Sequence, residues 1–293
     1  MTVRPPSLPN SMRKGAPFFC PQAITLAVVT GWITGSMTGC TIQSSVSNHY
    51  LTGEKLWTEK NYPAAAAEFD RVVKESPNSA LGLQALWRAS TTRQLFLNEP
   101  EEALKGFELF LERAGDSDLA PQAQIEMGEI YFTKLARYDK AIEHYEKLLS
   151  SGKYGADDEA KFYYRIGRSH FRSHRLKKAI EWYEQGLKKH PDSPFSAKSK
   201  YDLANAWYAL GETEKGGYQK ALKIFQELQV QTKIRDHLLF VQSVFGEAST
   251  HEEMDDLELA YEQFKSIEND YPAPNVIKVR MIRLAERMKK KRK

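Results

Sequence analysis

The sequence has little cysteine and no long apolar run. Its 293 residues include two cysteines, too few for a disulfide scaffold or a cysteine-based zinc site. No uninterrupted apolar stretch reaches the ~20 residues that a membrane-spanning helix needs. Hydrophobic residues make up 41% of the chain and charged residues 27%, which is too apolar a composition for a disordered protein. These features exclude a disulfide-rich domain and a multi-span membrane protein.

Acidic residues are absent from residues 1–39, where all the charges are basic. An apolar run at 24–33 has the length of a signal-peptide core and is too short to span a bilayer. Small and polar residues follow it and lead to the stretch Met37–Cys40 (MTGC). This stretch resembles the lipobox of bacterial lipoproteins. The resemblance implies cleavage before Cys40 and acylation of its thiol.

Two alternatives to lipidation are an uncleaved signal anchor and a secretory signal with a coincidental Cys40. Cysteine usage favours lipidation, because Cys20 would leave with the signal and no free thiol would remain in an oxidising compartment. Two or more acyl chains anchor a protein stably. Thr41 differs from the aspartate of the enterobacterial retention signal, so the resemblance implies the periplasmic side of the outer membrane. Met12 would start a more typical signal than Met1 does.

A repeat of about 38 residues runs through the rest of the chain. In each unit an alanine is followed four residues later by Phe or Tyr, and the alanines recur at steps of 38, 38, 38, 42 and 39. The pairs are Ala65/Phe69, Ala103/Phe107, Ala141/Tyr145, Ala179/Tyr183, Ala221/Phe225 and Ala260/Phe264. With a further apolar residue at i+7 in most units, this spacing predicts a helix that packs one face inward. A second amphipathic segment precedes each such helix, so the sequence predicts a solenoid of antiparallel helix pairs.

Residues 160–193 carry the repeat most fully, with Gly167 in the first helix and Ala179 and Tyr183 in the second. This pattern resembles the tetratricopeptide repeat (TPR), and six copies cover about 230 residues. The resemblance implies an all-α fold, a TPR helix-pair solenoid of about six repeats with a C-terminal capping helix. The second repeat departs from the pattern, because Trp87 stands where a small residue is expected. The fifth departs by a longer turn between its two helices.

The predicted organisation is a signal peptide at 1–39, a lipidated linker at 40–45, six TPR units at 46–274, and a capping helix with a basic tail at 275–293. A capping helix is expected because the last repeat of a solenoid has no following neighbour to cover it. The stripe predicted to face the core consists of Val276, Val279, Ile282, Ala285 and Met288.

In TPR proteins the first helix of each pair lines a concave groove. The resemblance therefore implies a groove here, with aromatic residues two helical turns apart and polar residues between them. The candidate groove residues are Tyr50, Trp57, Arg88, Phe132, Tyr164, Arg168, Phe171, Tyr201, Asn205 and Tyr208. Such a surface suits an apolar or aromatic-bearing peptide or helix. The alternative is that the aromatic residues are buried against neighbouring repeats.

The sequence contains no motif that predicts catalysis. It lacks a nucleophile elbow, a P-loop and a Rossmann glycine fingerprint. His170 and His174 are four residues apart, but no third ligand is evident, so we expect His170 in the core and no metal site. The acidic residues at 252–258 lack the EF-hand pattern and are expected to form a solvated loop. We therefore expect a protein that is not an enzyme and has no cofactor.

The formal net charge of +4 conceals an uneven distribution. Residues 278–293 contain nine basic residues and one glutamate, whereas residues 40–277 carry a net charge of −7. The basic end is interpreted either as a frayed, solvated tail or as a contact with lipid headgroups or an acidic partner. An exported chain does not meet nucleic acid, so no nucleic-acid partner is expected.

Together these features predict a lipid-anchored TPR scaffold that binds envelope proteins. The chain resembles the BamD-type lipoproteins of outer-membrane protein assembly in its lipobox, its long repeats, and the stretches at 62–69 and 191–195. Six repeats fit equally well a pilotin-type lipoprotein, which assists assembly of a secretin or pilus system. A lipoprotein regulator of a peptidoglycan enzyme is the third alternative.

Overall fold

The computed structural model describes residues 38–291, with side chains from Ser45 onward, and all its regular structure is helical. The predicted signal peptide and the side chain of Cys40 lie outside the described part. None of the described helices is both long and apolar enough to cross a membrane. The helices are α1 Thr38–Thr58, α2 Tyr62–Glu75, α3 Ala80–Thr92, α4 Pro100–Ala114, α5 Ala120–Glu129, α6 Tyr138–Ser151, α7 Ala156–Arg172, α8 Leu176–Lys189, α9 Ser196–Ala209, α10 Gly217–Thr232, α11 His237–Glu253, α12 Leu257–Ser266 and α13 Pro274–Lys291.

The helices from α1 to α12 form six consecutive pairs, and α13 follows the last pair. This arrangement confirms the predicted helix-pair solenoid with a capping helix. The core is a row of small hydrophobic clusters, each built from one pair and the helix that follows it. The alanine and the aromatic residue of every repeat motif lie in this core, each at most 1% exposed.

The two helices of a pair approach closely where a small residue faces the motif aromatic. A Cβ atom built on Gly167 would lie 2.5 Å from Cε1 of Tyr183, and one on Gly128 would lie 2.7 Å from Cε1 of Tyr145. Real Cβ contacts are not that short, so only glycine fits unless the ring moves. The small residue in the first helix therefore sets how deeply the second helix packs.

The second repeat has a different register from the one predicted. The ring of Trp87 lies 5.4 Å from that of Phe107 and 5.5 Å from that of Phe110, so Trp87 is the large core residue of α3. The small residue of α3 that closely approaches α4 is the fully buried Ser90, whose Oγ would clash with a Cβ built on Gly106. A π-helical segment, Arg93–Leu97, continues α3, and a similar segment, Ile130–Lys134, continues α5. These π-helical turns make the first helices of the second and third pairs longer than their α-helical parts alone.

The capping helix α13 buries a different stripe from the one predicted. Ile277 and Leu284 are fully buried, and Met281 and Met288 pack against the same cluster. Three residues of the predicted stripe, Val276, Val279 and Ile282, are 44%, 47% and 61% exposed. Steps of three residues turn by ~300° each, so that stripe winds around the helix, whereas alternating steps of four and three stay on one face.

Candidate protein-binding surface on the first helices

Charged side chains join the first helices of neighbouring pairs. Nε of Arg88 in α3 donates to Oε1 of Glu54 in α1 at 2.6 Å, and the Arg88 side chain is only 11% exposed. Nε of Arg168 in α7 lies 3.2 Å from Oδ2 of Asp202 in α9. Because each of these ion pairs joins two repeats, it fixes the spacing between their first helices. We term the surface formed by the first helices of the repeats the first-helix face.

Glu129 at the end of α5 has the most partners on this face. Its carboxylate accepts hydrogen bonds from Nε and Nη2 of Arg165 at 2.9 and 2.6 Å, and Nζ of Lys161 lies 3.1 Å away. The hydroxyl of Tyr145 donates to the same carboxylate at 3.1 Å. Burial alone would raise the pKa of Glu129, but the attraction of Arg165 and Lys161 outweighs it and lowers that pKa.

Two of the predicted groove aromatics lie in the core. Phe132 and Tyr164 are 9% and 6% exposed. The guanidinium of Arg165 covers the ring of Phe132 at 4.6 Å, and burial, together with Asp202 nearby, raises the pKa of Tyr164 to about 12. For these two residues the core alternative holds, because no partner can reach the ring faces without moving the arginine.

The aromatics of the first repeats are half-buried. Tyr50 packs 5.6 Å from the ring of Phe69, and Trp57 is covered at 4.9 Å by the guanidinium of Arg88. Burial, followed by the charge of Glu54, raises the pKa of Tyr50 to about 12. These side chains present an edge to solvent while their inner faces belong to the repeat contacts.

Four of the other predicted residues, Arg168, Phe171, Asn205 and Tyr208, meet at one cleft between α7 and α9. Its volume is about 370 Å³. The lining residues are Arg168, Phe171, Arg172, Asp202, Asn205, Tyr208 and Ala209. We call this site the α7–α9 cleft. Tyr201, also predicted, does not line the cleft and packs with its ring 6.1 Å from that of Phe225. The cleft therefore combines two half-buried aromatic rings with polar and charged groups.

The polar side chains of the cleft differ in which hydrogen-bonding or charged groups they leave free to contact a partner. Asn205 donates through Nδ2 to the carbonyl of Tyr201 at 2.9 Å, which holds its amide in place and leaves Oδ1 as an acceptor. The hydroxyl of Tyr208 reaches Glu253 at 3.5 Å. Arg172 is exposed and forms no ion pair with any described residue. An acidic group entering the cleft would meet this arginine.

Asp202 and Arg172 were not predicted as site residues. Burial raises the pKa of Asp202, while Arg168 and Arg172 oppose that effect. Their spacing places each of them on the same helix face as a predicted residue, because Asp202 is three residues from Asn205 and Arg172 is four residues from Arg168. A pairing between two helices more than thirty residues apart is not encoded in either spacing.

The structure brings the two candidate histidines into unlike surroundings. His170 is 5% exposed and its pKa is lowered to about 4 by burial and by the nearby charges of Arg175 and Lys178. His174 is exposed in the turn after α7, with a positive φ of 58°. Among the side chains that the structure describes, no group of three or more His, Cys, Asp or Glu residues is placed to hold a metal ion.

The acidic residues at 252–258 are mostly exposed, as expected of a solvated loop, but Glu252 is partly buried and two of them form ion pairs with α13. Glu252 is only 16% exposed and pairs with Nη1 of Arg280 at 3.0 Å, and Asp255 pairs with Nη2 of Arg287 at 3.1 Å. Lys291 also binds Asp255, so α13 is helical and attached up to its last described residue rather than frayed. The reason is complementary charge, since the acidic turn follows α11 at the place where α13 packs.

Comparison with known proteins assigns the fold. Two tetratricopeptide repeat models match residues 119–190 and 164–231, and no curated protein matches the sequence. PilF of Pseudomonas aeruginosa is similar in structure, with a TM-score of 0.53 and 13% identity over 84% of this chain and 99% of that one. The type IV pilus biogenesis factor PilW has a TM-score of 0.54 and 14% identity over 78% and 94%. MamA of Desulfovibrio magneticus RS-1 has a TM-score of 0.50 and 16% identity over 66% and 97%. The described residues thus form an all-helical solenoid of the tetratricopeptide-repeat type.

Proposed function

We propose that this protein is a non-catalytic scaffold that binds a segment of another protein in the α7–α9 cleft. The observation that carries the proposal is the cleft itself, about 370 Å³ with aromatic rings and charged groups side by side. Recognition sites for peptides combine an apolar anchor with a few polar groups that fix orientation. TPR solenoids mediate protein–protein interactions, and this cleft lies on the first-helix face.

The chemistry of the cleft selects a segment with an apolar side chain next to an acidic one. Phe171 and Tyr208 supply apolar surface, and Asn205 offers a fixed acceptor for a backbone N–H. Arg172 is the available cation, whereas the charge of Arg168 is already matched by Asp202. A segment with two basic residues would be repelled by this arrangement.

Binding is tested by a double variant with a matched control. Arg172→Glu combined with Tyr208→Ala is expected to lower partner capture at least tenfold, because charge and apolar contact are lost together. Lys188→Glu makes the same charge change on exposed α8 and is expected to leave capture unchanged. Thermal unfolding should show that both variants are still folded at the temperature of the capture assay. Equal capture by the double variant would show that the partner binds elsewhere.

We also propose that the scaffold is anchored by acyl chains on Cys40. The supporting features are the basic leader, the apolar run at 24–33 and the lipobox-like stretch before Cys40. Replacement of Cys40 by Ser is expected to abolish labelling with palmitate and to release the protein from the outer-membrane fraction. Retention of the label in that variant would refute the proposal, and retention in the membrane without label would indicate an uncleaved anchor.

The first partner to test belongs to a pilus or secretin system. PilF and PilW are similar to this chain over nearly their whole lengths, and PilW is named as a pilus biogenesis factor. A photocrosslinking residue in place of Phe171 should capture such a protein in living cells. Capture of a β-barrel assembly subunit would instead favour the BamD-like alternative, and capture of a murein synthase the regulatory one.

A further inference from the structure

The capping helix α13 has two unlike sides. Its inner side packs on the last pair through Ile277 and Leu284. One flank is held to the end of α11 through Arg280 and to the following turn through Arg287. Arg280 also donates to Oγ of Ser249 at 3.1 Å. These contacts fix the rotation of the helix, so the direction of its outer side is determined.

The outer face of α13 has aliphatic residues and one glutamate in the middle and basic residues on both sides. Val276, Val279 and Ile282 are the exposed aliphatic residues. The exposed basic residues are Lys278, Arg283, Lys289 and Lys290, and none of them forms an ion pair with a described residue. At ~100° per residue, Lys278 and Lys289 lie beside Ile282, while Arg283 and Lys290 lie beside Val279. Glu286 lies between Ile282 and Val279, and Val276 lies beyond Arg283.

We propose that the outer face of α13 binds the headgroup layer of an anionic membrane. A helix lying in that layer buries short aliphatic side chains ~5–10 Å deep and keeps Lys and Arg along its edges, where their stems cover apolar surface and their charges reach the phosphates. The outer face has both features. Its surplus of positive charge is complementary to anionic lipids.

A protein partner would favour a different surface. Protein interfaces are enriched in Trp, Tyr and Arg anchors and depleted of Lys, because lysine loses hydration and side-chain entropy when it is buried. The outer face carries no aromatic residue, and three of its four unpaired cations are lysines. The composition therefore matches a lipid surface better than a protein one. This contact goes beyond the proposed cleft and requires neither its partner nor acylation of Cys40.

The test places a lipid-sensitive fluorophore on the outer face of the full-length protein. Cys20→Ser and Cys40→Ser remove the native thiols, and Ile282→Cys provides the labelling site. Vesicles contain two parts phosphatidylcholine to one part phosphatidylglycerol, or phosphatidylcholine alone, each with a nitroxide lipid that quenches nearby probes. The probe at position 282 is expected to be quenched on the anionic vesicles. The control probe replaces Val230, which is 85% exposed on α10, and is expected to remain unquenched.

Charge variants test the electrostatic part of the contact. Each basic residue near an anionic surface contributes about a fivefold factor in affinity, so Lys289→Gln with Lys290→Gln should weaken the quenching curve roughly 30-fold. The matched control, Lys188→Gln with Lys233→Gln, makes the same change of net charge outside α13 and should leave the curve unchanged.

Three results would overturn the proposal. The probe at position 282 could be quenched no more on anionic vesicles than on neutral ones. The probes at 230 and 282 could be quenched alike, which would mean that the protein binds the vesicles without placing the outer face of α13 against the lipid. A crosslinker at Ile282 that captures a protein in cells, without lipid quenching in vitro, would assign the face to a protein partner.

Discussion

Replacing Glu129 with Gln tests whether charge pairing on the first-helix face stabilises the solenoid. The substitution keeps the shape and one acceptor oxygen but removes the negative charge that Arg165 and Lys161 share. Those two side chains are 17% and 22% exposed, so water only partly replaces the lost partner. Tyr145 also loses a charged acceptor for its buried hydroxyl.

The expected cost follows from this partial burial. Removing one member of a fully buried ion pair costs about 3–5 kcal/mol, because the other charge is left uncompensated. Glu129 is 14% exposed and the glutamine retains hydrogen bonds, so we expect a loss of about 2–3 kcal/mol in the free energy of unfolding. The matched control is Glu143→Gln, which breaks an exposed pair with Lys147 and should leave the unfolding midpoint unchanged.

The pH dependence separates charge from packing. The folded-state pKa of Glu129 lies below its ordinary value of 4.5, so its stabilisation is present above that pH and is lost as the pH falls through the folded-state pKa. Urea unfolding should show a large difference between the two proteins at neutral pH and a shrinking one below 4.5. A difference that persists in acid would mean that Gln disturbs packing. No difference at neutral pH would refute the role of the charge pair.

Three further perturbations address the core and the cap. Gly167→Ala places a Cβ 2.5 Å from the ring of Tyr183 and should cost about 1–3 kcal/mol in thermal unfolding, whereas Gly155→Ala enters open space and should cost far less; equal effects would contradict the close-approach argument. The pKa of His170 is lowered to about 4, so wild-type stability should fall as the pH drops from 6.5 to 4, and His170→Phe should flatten that fall; an unchanged slope in calorimetry would contradict it. Glu252→Gln should speed amide exchange in α13 but not in α7, and uniform exchange would mean that the ion pairs do not hold the cap.

The fold could be predicted from the sequence because its signal is periodic and local. The motif alanine and aromatic residue recur in every repeat, and each pair occupies one helix face. The second repeat departs from the pattern because Trp87 is a large core residue and the small residue that contacts the next helix is Ser90, which the spacing of the other repeats does not predict. In α13, Val276, Val279 and Ile282 resembled a stripe, but packing selected a stripe with alternating steps.

The site was only partly predictable. The cleft residues Arg168, Phe171, Asn205 and Tyr208 were candidates because the repeat pattern places them on the first helices. Their division into core and surface depends on which charged neighbour covers each ring, and neither spacing nor composition encodes that. The same holds for Asp202, whose partner lies on another helix.

The ion pairs of the first-helix face have a consequence for its elasticity. In the described part of this face, charge pairs join α1 to α3, α5 to α7, α7 to α9, and α11 to α13. The junctions α3–α5 and α9–α11 have only the neutral donors Gln94 and Tyr208, which contact Glu126 and Glu253. Bending would therefore concentrate at those two softer joints. The α7–α9 cleft lies in the stiffer block between them, so a partner would enter a preformed site and lose little affinity to ordering it.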